Sequence, residues 1–386
     1  MREDWAGLER VLAGAVPGVA PALVCRVERA GECVYQNAFG WLDPNECTRP
    51  VQTDSLFDLA SVTKLFTTTA FLRLLEAGKV ALDQPLAAVL PEFGGVRPIG
   101  GAEDPLAKTP LPADPQRTGE TVDAGRVTFR HLLTHTSGLP AWRSVYTHCG
   151  PPPVLPLAES AVDERQSSAL AALVAYPFVA QPGESHLYSD IGLMLLGFAV
   201  ARLSGTGRLD RAMAGLVTEP LGMDAHFGPT AAERERIVPT EHCAWRDRRL
   251  LAEVHDENAA GLGGVAGHAG LFASAGDVCR LGRLFLNGGK GLLSPEVVAE
   301  SSREQHASPD GIRRGLGWQL RSDPNPTCST AFSPASFGHT GFTGTSLWCD
   351  PARDLCVALL TNRVYHGRDA AGIVALRPRV HSAIGG

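Results

Sequence analysis

A chain of 386 residues is too long for one small core and implies two lobes, or one large domain carrying an insertion. Apolar residues make up 44% and charged residues 20%, as in an ordinary globular enzyme. A formal charge of −6, with no basic run, Cys/His finger or aromatic–basic ladder, argues against a nucleic-acid partner, and no apolar stretch is long and unbroken enough to span a bilayer. The opening MREDWAGLERVLAG puts acidic residues where an export signal needs a positive start. Nine cysteines without a repeated spacing read as reduced thiols. Both features lead us to expect a cytoplasmic protein.

In chain order, the first 58 residues read as strands: 22–29 and 32–37 are short β-prone runs separated by the turn Ala30-Gly31. A helical pattern opens at Ser61 and runs through Leu65, Phe66, Thr69, Leu72 and Leu75 to a stop at Gly78. Residues 93–126 are rich in Pro, Gly and charge without a usable period, so they read as a surface insertion and not a core element. Thr128 is an N-cap candidate leading into a helix, and a second loose, Pro-rich stretch covers 150–156. A further helix fits 191–203, ending in Ser204-Gly205. Ser274 with Asp277 forms a capping box that opens a helix to Leu286, which Asn287-Gly288-Gly289 closes.

The final third returns to strands. Residues 347–349 and 356–361 flank 350–354 as a hairpin of alternating apolar character, across which Cys349 and Cys356 could face each other. Strands, then helices, then strands imply an α+β fold. Its sheet domain comes from both ends of the chain, 1–60 and 256–386. A mainly helical domain, 61–255, is inserted between them, with loop insertions near 93–126 and 143–165.

The sharpest chemical signal is Ser61-Val62-Thr63-Lys64. On a helix, positions i and i+3 share a face, so the Ser61 hydroxyl and the Lys64 amine would lie one turn apart. A serine hydroxyl is a poor nucleophile until a base takes its proton. A lysine serves if desolvation and the helix N-terminus bring its pKa down toward neutrality. At the first turn of the helix, free backbone N–H groups are also available to a developing oxyanion. With four lysines in the chain, Ser-x-x-Lys arises by chance about 0.2 times, so the motif alone is modest evidence and a capped helix with a solvated lysine is its bland counterpart.

Two further motifs add weight. Tyr188-Ser189-Asp190 follows the turn Pro182-Gly183 at the mouth of an apolar helix, and a tyrosine beside a lysine can relay a proton because the ammonium favours phenolate. Gly338-His339-Thr340-Gly341 precedes Phe342. Glycines flanking such a strand let a substrate backbone approach and leave an N–H free to donate.

The three motifs, in this order, resemble those of the penicillin-binding-protein and class C β-lactamase superfamily. Residues 128–140 and 263–272 are also similar to stretches that recur there, and the resemblance covers roughly 15–383. It implies a β-lactamase/transpeptidase-like fold, an antiparallel sheet flanked by helices (an α/β sandwich) plus an all-helical lobe, with the site in the cleft between them. It also implies roles: attack by Ser61, proton transfer by Lys64 and Tyr188, an oxyanion hole from the N–H groups of Ser61 and Phe342, and substrate contacts at Asp190, His339, Thr340 and Gly341. No metal or organic cofactor is implied.

Two departures bear on substrate. Asp190 stands where those β-lactamases usually have Asn; a carboxylate offers only acceptors and, if close, favours the charged form of Lys64. His339 stands where they have Lys, which removes a permanent charge for a substrate carboxylate. Both departures resemble the esterase and D-amino-acid peptidase branches, including penicillin-binding-protein-4B-like esterases. The expected activity is therefore that of a serine hydrolase acting on small ester or amide substrates. A β-lactamase, a D-Ala-D-Ala carboxypeptidase or D-aminopeptidase, and a penicillin sensor that acylates without turnover are alternatives, and a silent scaffold is a further one.

Other signals carry less. His131 and His135 at i and i+4 lack a third metal ligand at a persuasive spacing, and packing near the 136–138 turn is the simpler reading. The run 261–266 fits a dinucleotide fingerprint loosely but has no βαβ unit around it, and no Gly-x-Ser-x-Gly elbow occurs. His268 reads as a loop histidine that could line the cleft, and Trp318 as a core or cleft-wall aromatic.

Overall fold

The computed structural model describes residues 5–324 and 326–385. Strands Ala22–Arg29 (β1) and Glu32–Gly40 (β2) form a hairpin. Phe57–Asp58 (β3), His226–Phe227 (β4) and Leu271–Ala273 (β5) make a small separate sheet with β5 in the middle. His306–Ala307 (β6), Arg313–Arg314 (β7), Gln319–Leu320 (β8), Phe337–Thr340 (β9), Ser346–Asp350 (β10) and Leu355–Thr361 (β11) then continue the main sheet. That sheet is antiparallel in the order β6-β7-β8-β9-β10-β11-β1-β2, so its two ends of chain meet at the β11–β1 pairing.

The hairpin β10–β11 differs from the expected one-sided alternation, because every residue of both strands is buried. The sheet carries helices on both faces. Leu355, Val357 and Leu359 join Leu23, Cys25 and Val27 beneath helices Trp5–Ala13 (α1) and Ala371–Gly385 (α10). Cys356, Ala358 and Leu360 join Ala22 and Val24 on the opposite face. There helix Ala275–Leu286 (α8) covers them, opened by the Ser274–Asp277 capping box as expected.

Neither α1 nor α10 was expected. In α1, Trp5, Leu8 and Leu12 do trace one helical face. In α10, the interior Pro378 disguises the stripe Ile373, Leu376, Val380, Ile384.

Between the two parts of the sheet lie Thr63–Glu76 (α2), Phe129–Leu133 (α3), Glu159–Leu173 (α4), Asp190–Leu203 (α5) and Leu209–Met213 (α6), followed by Glu257–Gly261 (α7). Helix α2 is buried nearly all round and packs on α5. Two of its buried threonines, Thr67 and Thr69, each donate to the carbonyl four residues back. The glycine run near 263–267 serves packing. A Cβ on Gly267 would lie 2.2 Å from the Leu193 carbonyl oxygen, so α5 and this loop touch backbone to backbone.

The 93–126 segment is more than a surface insertion. It forms two short ladders, 96–98 with 121–123 and 102–103 with 110–111, and sends Phe93, Ile99 and Val122 into the main core. Among the described residues, no helix is long and apolar enough to cross a membrane.

Cys349 and Cys356 do pair in register, with Sγ atoms 3.9 Å apart as free thiols. Gly282 of α8 rests on them: a Cβ there would sit 2.6 Å from Cys356 Sγ and 2.8 Å from Cys349 Sγ. Gly282→Val is therefore expected to push α8 off the sheet and destabilise the fold by about 1–3 kcal/mol. Denaturant unfolding checks this, and an unchanged midpoint would refute the contact's importance.

Candidate active site

The segment before Ser61 is held by a buried carboxylate. Asp58, 2% exposed, accepts from Ala60 N at 2.8 Å and from His255 N at 2.6 Å, and burial raises its pKa. Thr343 and Thr345 donate to the carbonyls of Asp58 and Leu59. Gly341 allows that approach, since a Cβ would meet the Leu59 oxygen at 2.5 Å and the Thr345 hydroxyl at 2.1 Å. Pinned this way, Ala60 adopts a left-handed φ of +46°. Ser61 sits in the 3-10 turn Ala60–Val62, and the α-helix proper starts two residues later than the sequence suggests, at Thr63.

Lys64 is fully buried; its ammonium donates to Ser61 Oγ at 2.7 Å and the His268 carbonyl at 3.1 Å, and forms an ion pair with Asp190 Oδ1 at 2.8 Å. The expectation of a lysine brought down toward neutrality is overturned. Burial does push its pKa down, but Asp190 and then Tyr188 outweigh it, and the net displacement is upward.

Tyr188 is half-buried, with its hydroxyl within bonding reach of both Lys64 and Ser61. Burial raises its pKa, opposed by Lys64 and reinforced by Asp190. The structure thus brings Ser61, Lys64, Tyr188 and Asp190 together in one cluster.

The remaining predicted residues fall into two groups. Phe342 lines the cavity, with its carbonyl accepting from Arg363 Nε at 2.8 Å. Among the described residues, the N–H groups of Ser61 and Phe342 donate to no protein acceptor. His339, Thr340 and Gly341 do not line the cavity. His339 is 1% exposed, lies 6.0 Å from the Tyr188 ring, and is kept neutral because burial and then Lys64 and Arg314 depress its pKa. The ring packs against Tyr188 and away from the cavity lining, unlike the substrate contact expected of it.

The cavity, about 320 Å³, is walled by Leu106, Ala141, Trp142, Ala269 and Phe342, with Ser61, Tyr188 and Asp190 on its floor. His255, Asp256, Glu257 and His268 complete one side. His268 Nε2 pairs with Asp256 Oδ1 at 2.9 Å. Burial pushes the Asp256 carboxyl up, but His268 outweighs it and holds the group below the usual carboxylate range. Arg368 is clamped between Glu241 at 2.5 Å and Glu257 at 2.6 Å, and Lys108 reaches Glu257 at 2.6 Å. Glu241, Cys243 and Glu257 gather metal-ligating atoms within 4.8 Å of one another, but guanidinium already supplies the positive charge there.

The sequence reading missed Trp142, Leu106 and the 255–257 run, although His255-Asp256-Glu257-Asn258 is a conspicuous polar run ahead of an apolar, Gly-rich segment. It missed Arg314 and His186 beside Tyr188 as well. His131 and His135 do separate local jobs: His131 Nδ1 accepts from Thr128 N, and His135 Nδ1 accepts from Ser189 N.

Comparisons with known proteins bear on family and fold. A family model described as Beta-lactamase matches residues 7–378. Esterase EstB of Burkholderia gladioli is 34% identical, over 98% of this chain and 93% of its own. A putative D-alanyl-D-alanine carboxypeptidase of Escherichia coli is 30% identical, over 89% of this chain and 78% of its own. Among solved structures, EstCE1, a hydrolase with promiscuous acyltransferase activity, superposes with a TM-score of 0.74 at 22% identity, covering 99% of this chain and 98% of that one.

The charge arrangement fixes a direction for pH dependence. Asp190 raises both Lys64 and Tyr188, so each is a free base only at alkaline pH. Labelling of Ser61 by a fluorophosphonate should accordingly quicken with rising pH. In Asp190→Asn the rise should move to lower pH by about one pH unit or more, because the anion favouring both protonated forms is gone. A rise that stays put or moves alkaline in that variant would contradict the assignment.

Proposed function

The chain belongs to the beta-lactamase family of serine hydrolases, and from that premise we propose that it is an esterase acting on small, uncharged esters through an acyl-enzyme on Ser61. The observation that carries this reading is Ser61 Oγ hydrogen-bonded to a buried Lys64 on the floor of a largely apolar cavity whose lining cation, Arg368, is already matched by carboxylates.

Ser61 Oγ attacks the ester carbonyl carbon while its proton passes to the Lys64–Tyr188 pair. The carbonyl oxygen becomes an oxyanion, which the free N–H groups of Ser61 and Phe342 receive. Collapse breaks the bond to the leaving alcohol oxygen, and Tyr188, which faces the cavity, returns the proton to it. Water then attacks the acyl-enzyme, giving up a proton to the same pair. The acid leaves and Ser61 regains its hydrogen.

Charge supports the choice of substrate. β-Lactams and D-Ala-D-Ala peptides carry a carboxylate that needs a counter-cation. His339 is neutral and buried, Lys64 is paired with Asp190, and Lys108 is paired with Glu257. Asp190, Asp256 and Glu257 present carboxylates to the cavity. An uncharged ester with a small apolar acyl group meets Leu106, Trp142 and Phe342 without an unmatched charge. Nine free cysteines suit a reducing compartment, which supports a cytoplasmic setting.

Ser61→Ala is expected to abolish hydrolysis of p-nitrophenyl acetate and butyrate. Lys64→Ala and Tyr188→Phe should each lower kcat/KM by at least about a hundredfold. Run in parallel, a D-Ala-D-Ala peptide and nitrocefin should be turned over far more slowly than the esters. Normal ester hydrolysis by Ser61→Ala would remove the proposed nucleophile. Faster turnover of the carboxylate-bearing substrates would move the protein to the peptidase or lactamase side of its family.

A further inference from the structure

Tyr188 stands among groups whose charges add up unevenly. On one side, Lys64 lies 5.0 Å from its ring centroid, but Asp190 at 2.8 Å from that ammonium makes the two a neutral pair. His135, whose ring centre is 4.6 Å away, and His339, at 6.0 Å, are both neutral through burial. That leaves Arg314 on strand β7, its guanidinium carbon 5.6 Å from the Tyr188 ring centroid. Arg314 is 7% exposed, and its Nη1 is buried without a hydrogen-bond partner.

Arg314 Nε donates to His186 Nε2 at 3.0 Å, which needs a neutral imidazole, and burial followed by Arg314 itself depresses the His186 pKa to about 4. Among the described residues, no carboxylate pairs with Arg314, and Tyr188 is the group that favours its charged form. A guanidinium taken out of water without a counter-ion is costly, and its energy improves as soon as an anion forms beside it. The anion within reach is the Tyr188 phenolate.

We propose that Arg314 is the counter-cation of Tyr188, a positioning residue that supplies the unmatched positive charge favouring phenolate when Tyr188 passes on its proton. The inference rests on the reading of Tyr188 as a proton-transfer group of the Ser61 site. Lys64 also favours phenolate, but Asp190 works against it, so Arg314 supplies the part of that field that no carboxylate among the described residues offsets.

The test is the pH dependence of kcat/KM for p-nitrophenyl butyrate in Arg314→Gln, Arg314→Met and Arg314→Lys, each checked for folding by circular dichroism. Loss of the cation raises the proton affinity of Tyr188 and of Lys64 alike, so the direction holds whichever of them limits the rate. Arg314→Gln should shift the rising limb alkaline by about one pH unit, with roughly tenfold lower kcat/KM on the limb and convergence with the wild type above it. Arg314→Met keeps the packing of the stem and should do the same if the glutamine variant does not fold. Arg314→Lys should hold the limb near its original place. A folded neutral variant with an unmoved limb overturns the proposal, as does a loss equal at every pH, which marks a packing role. Tyr188→Phe separates the two levels: if it retains wild-type activity, the reading of the site fails; if it is crippled while the Arg314 limb stays put, only this inference falls.

Discussion

The fold converges on one buried ammonium. Lys64 is fully enclosed, and a charge taken out of water survives only where its hydrogen-bonding capacity is met and an opposite charge lies close. Three separate parts of the chain provide this: Ser61 from the turn ahead of α2, the His268 carbonyl from the loop before β5, and Asp190 from the first turn of α5. Remove any of the three and the ammonium loses an acceptor or its counter-charge in a dry place. The packing of α2 against α5 and the backbone contact between Gly267 and α5 fix those distances, so the hydrophobic core and the chemistry are joined at this residue.

The same frame serves proteins described as an esterase and as a putative carboxypeptidase, which is why fold alone does not decide substrate. What varies within such a frame is the charge around the nucleophile. In this chain Asp190 cancels Lys64, burial silences His339, Glu241 and Glu257 occupy Arg368, and among the described residues no carboxylate pairs with Arg314 beside the tyrosine. The lining cation Arg368 is consequently already matched, where a carboxylate-binding site would keep a cation free.

Much of this was legible in the residues. Ser61, Lys64 and Tyr188 lie in contiguous motifs whose local context, a helix start and a loop into a helix, is written in a few neighbouring residues. The capping box at Ser274 and the hairpin at 346–361 were equally local. What escaped depended on long-range contacts. The pKa of Lys64 follows from a carboxylate 126 positions away in sequence but 2.8 Å away in space. His339 looked like a substrate contact because its flanking glycines suggest an open strand, whereas the sheet turns its ring toward Tyr188. Helix α10 hid behind Pro378, and the 93–126 segment, without periodicity, gave no hint that Leu106 would reach the cavity.

The left-handed backbone at Ala60 has a consequence of its own. A non-glycine residue in that region stores of order 1 kcal/mol of strain, and here the two N–H groups bound by Asp58 hold it in place. Glycine at this position would relax the strain but widen the unfolded ensemble by a comparable amount, and it would free the joint that aims the Ser61 hydroxyl. A larger β-branched side chain would raise the strain instead. Position 60 therefore works as a hinge pin whose small methyl group steadies the aim of a single oxygen atom at a small local cost in strain.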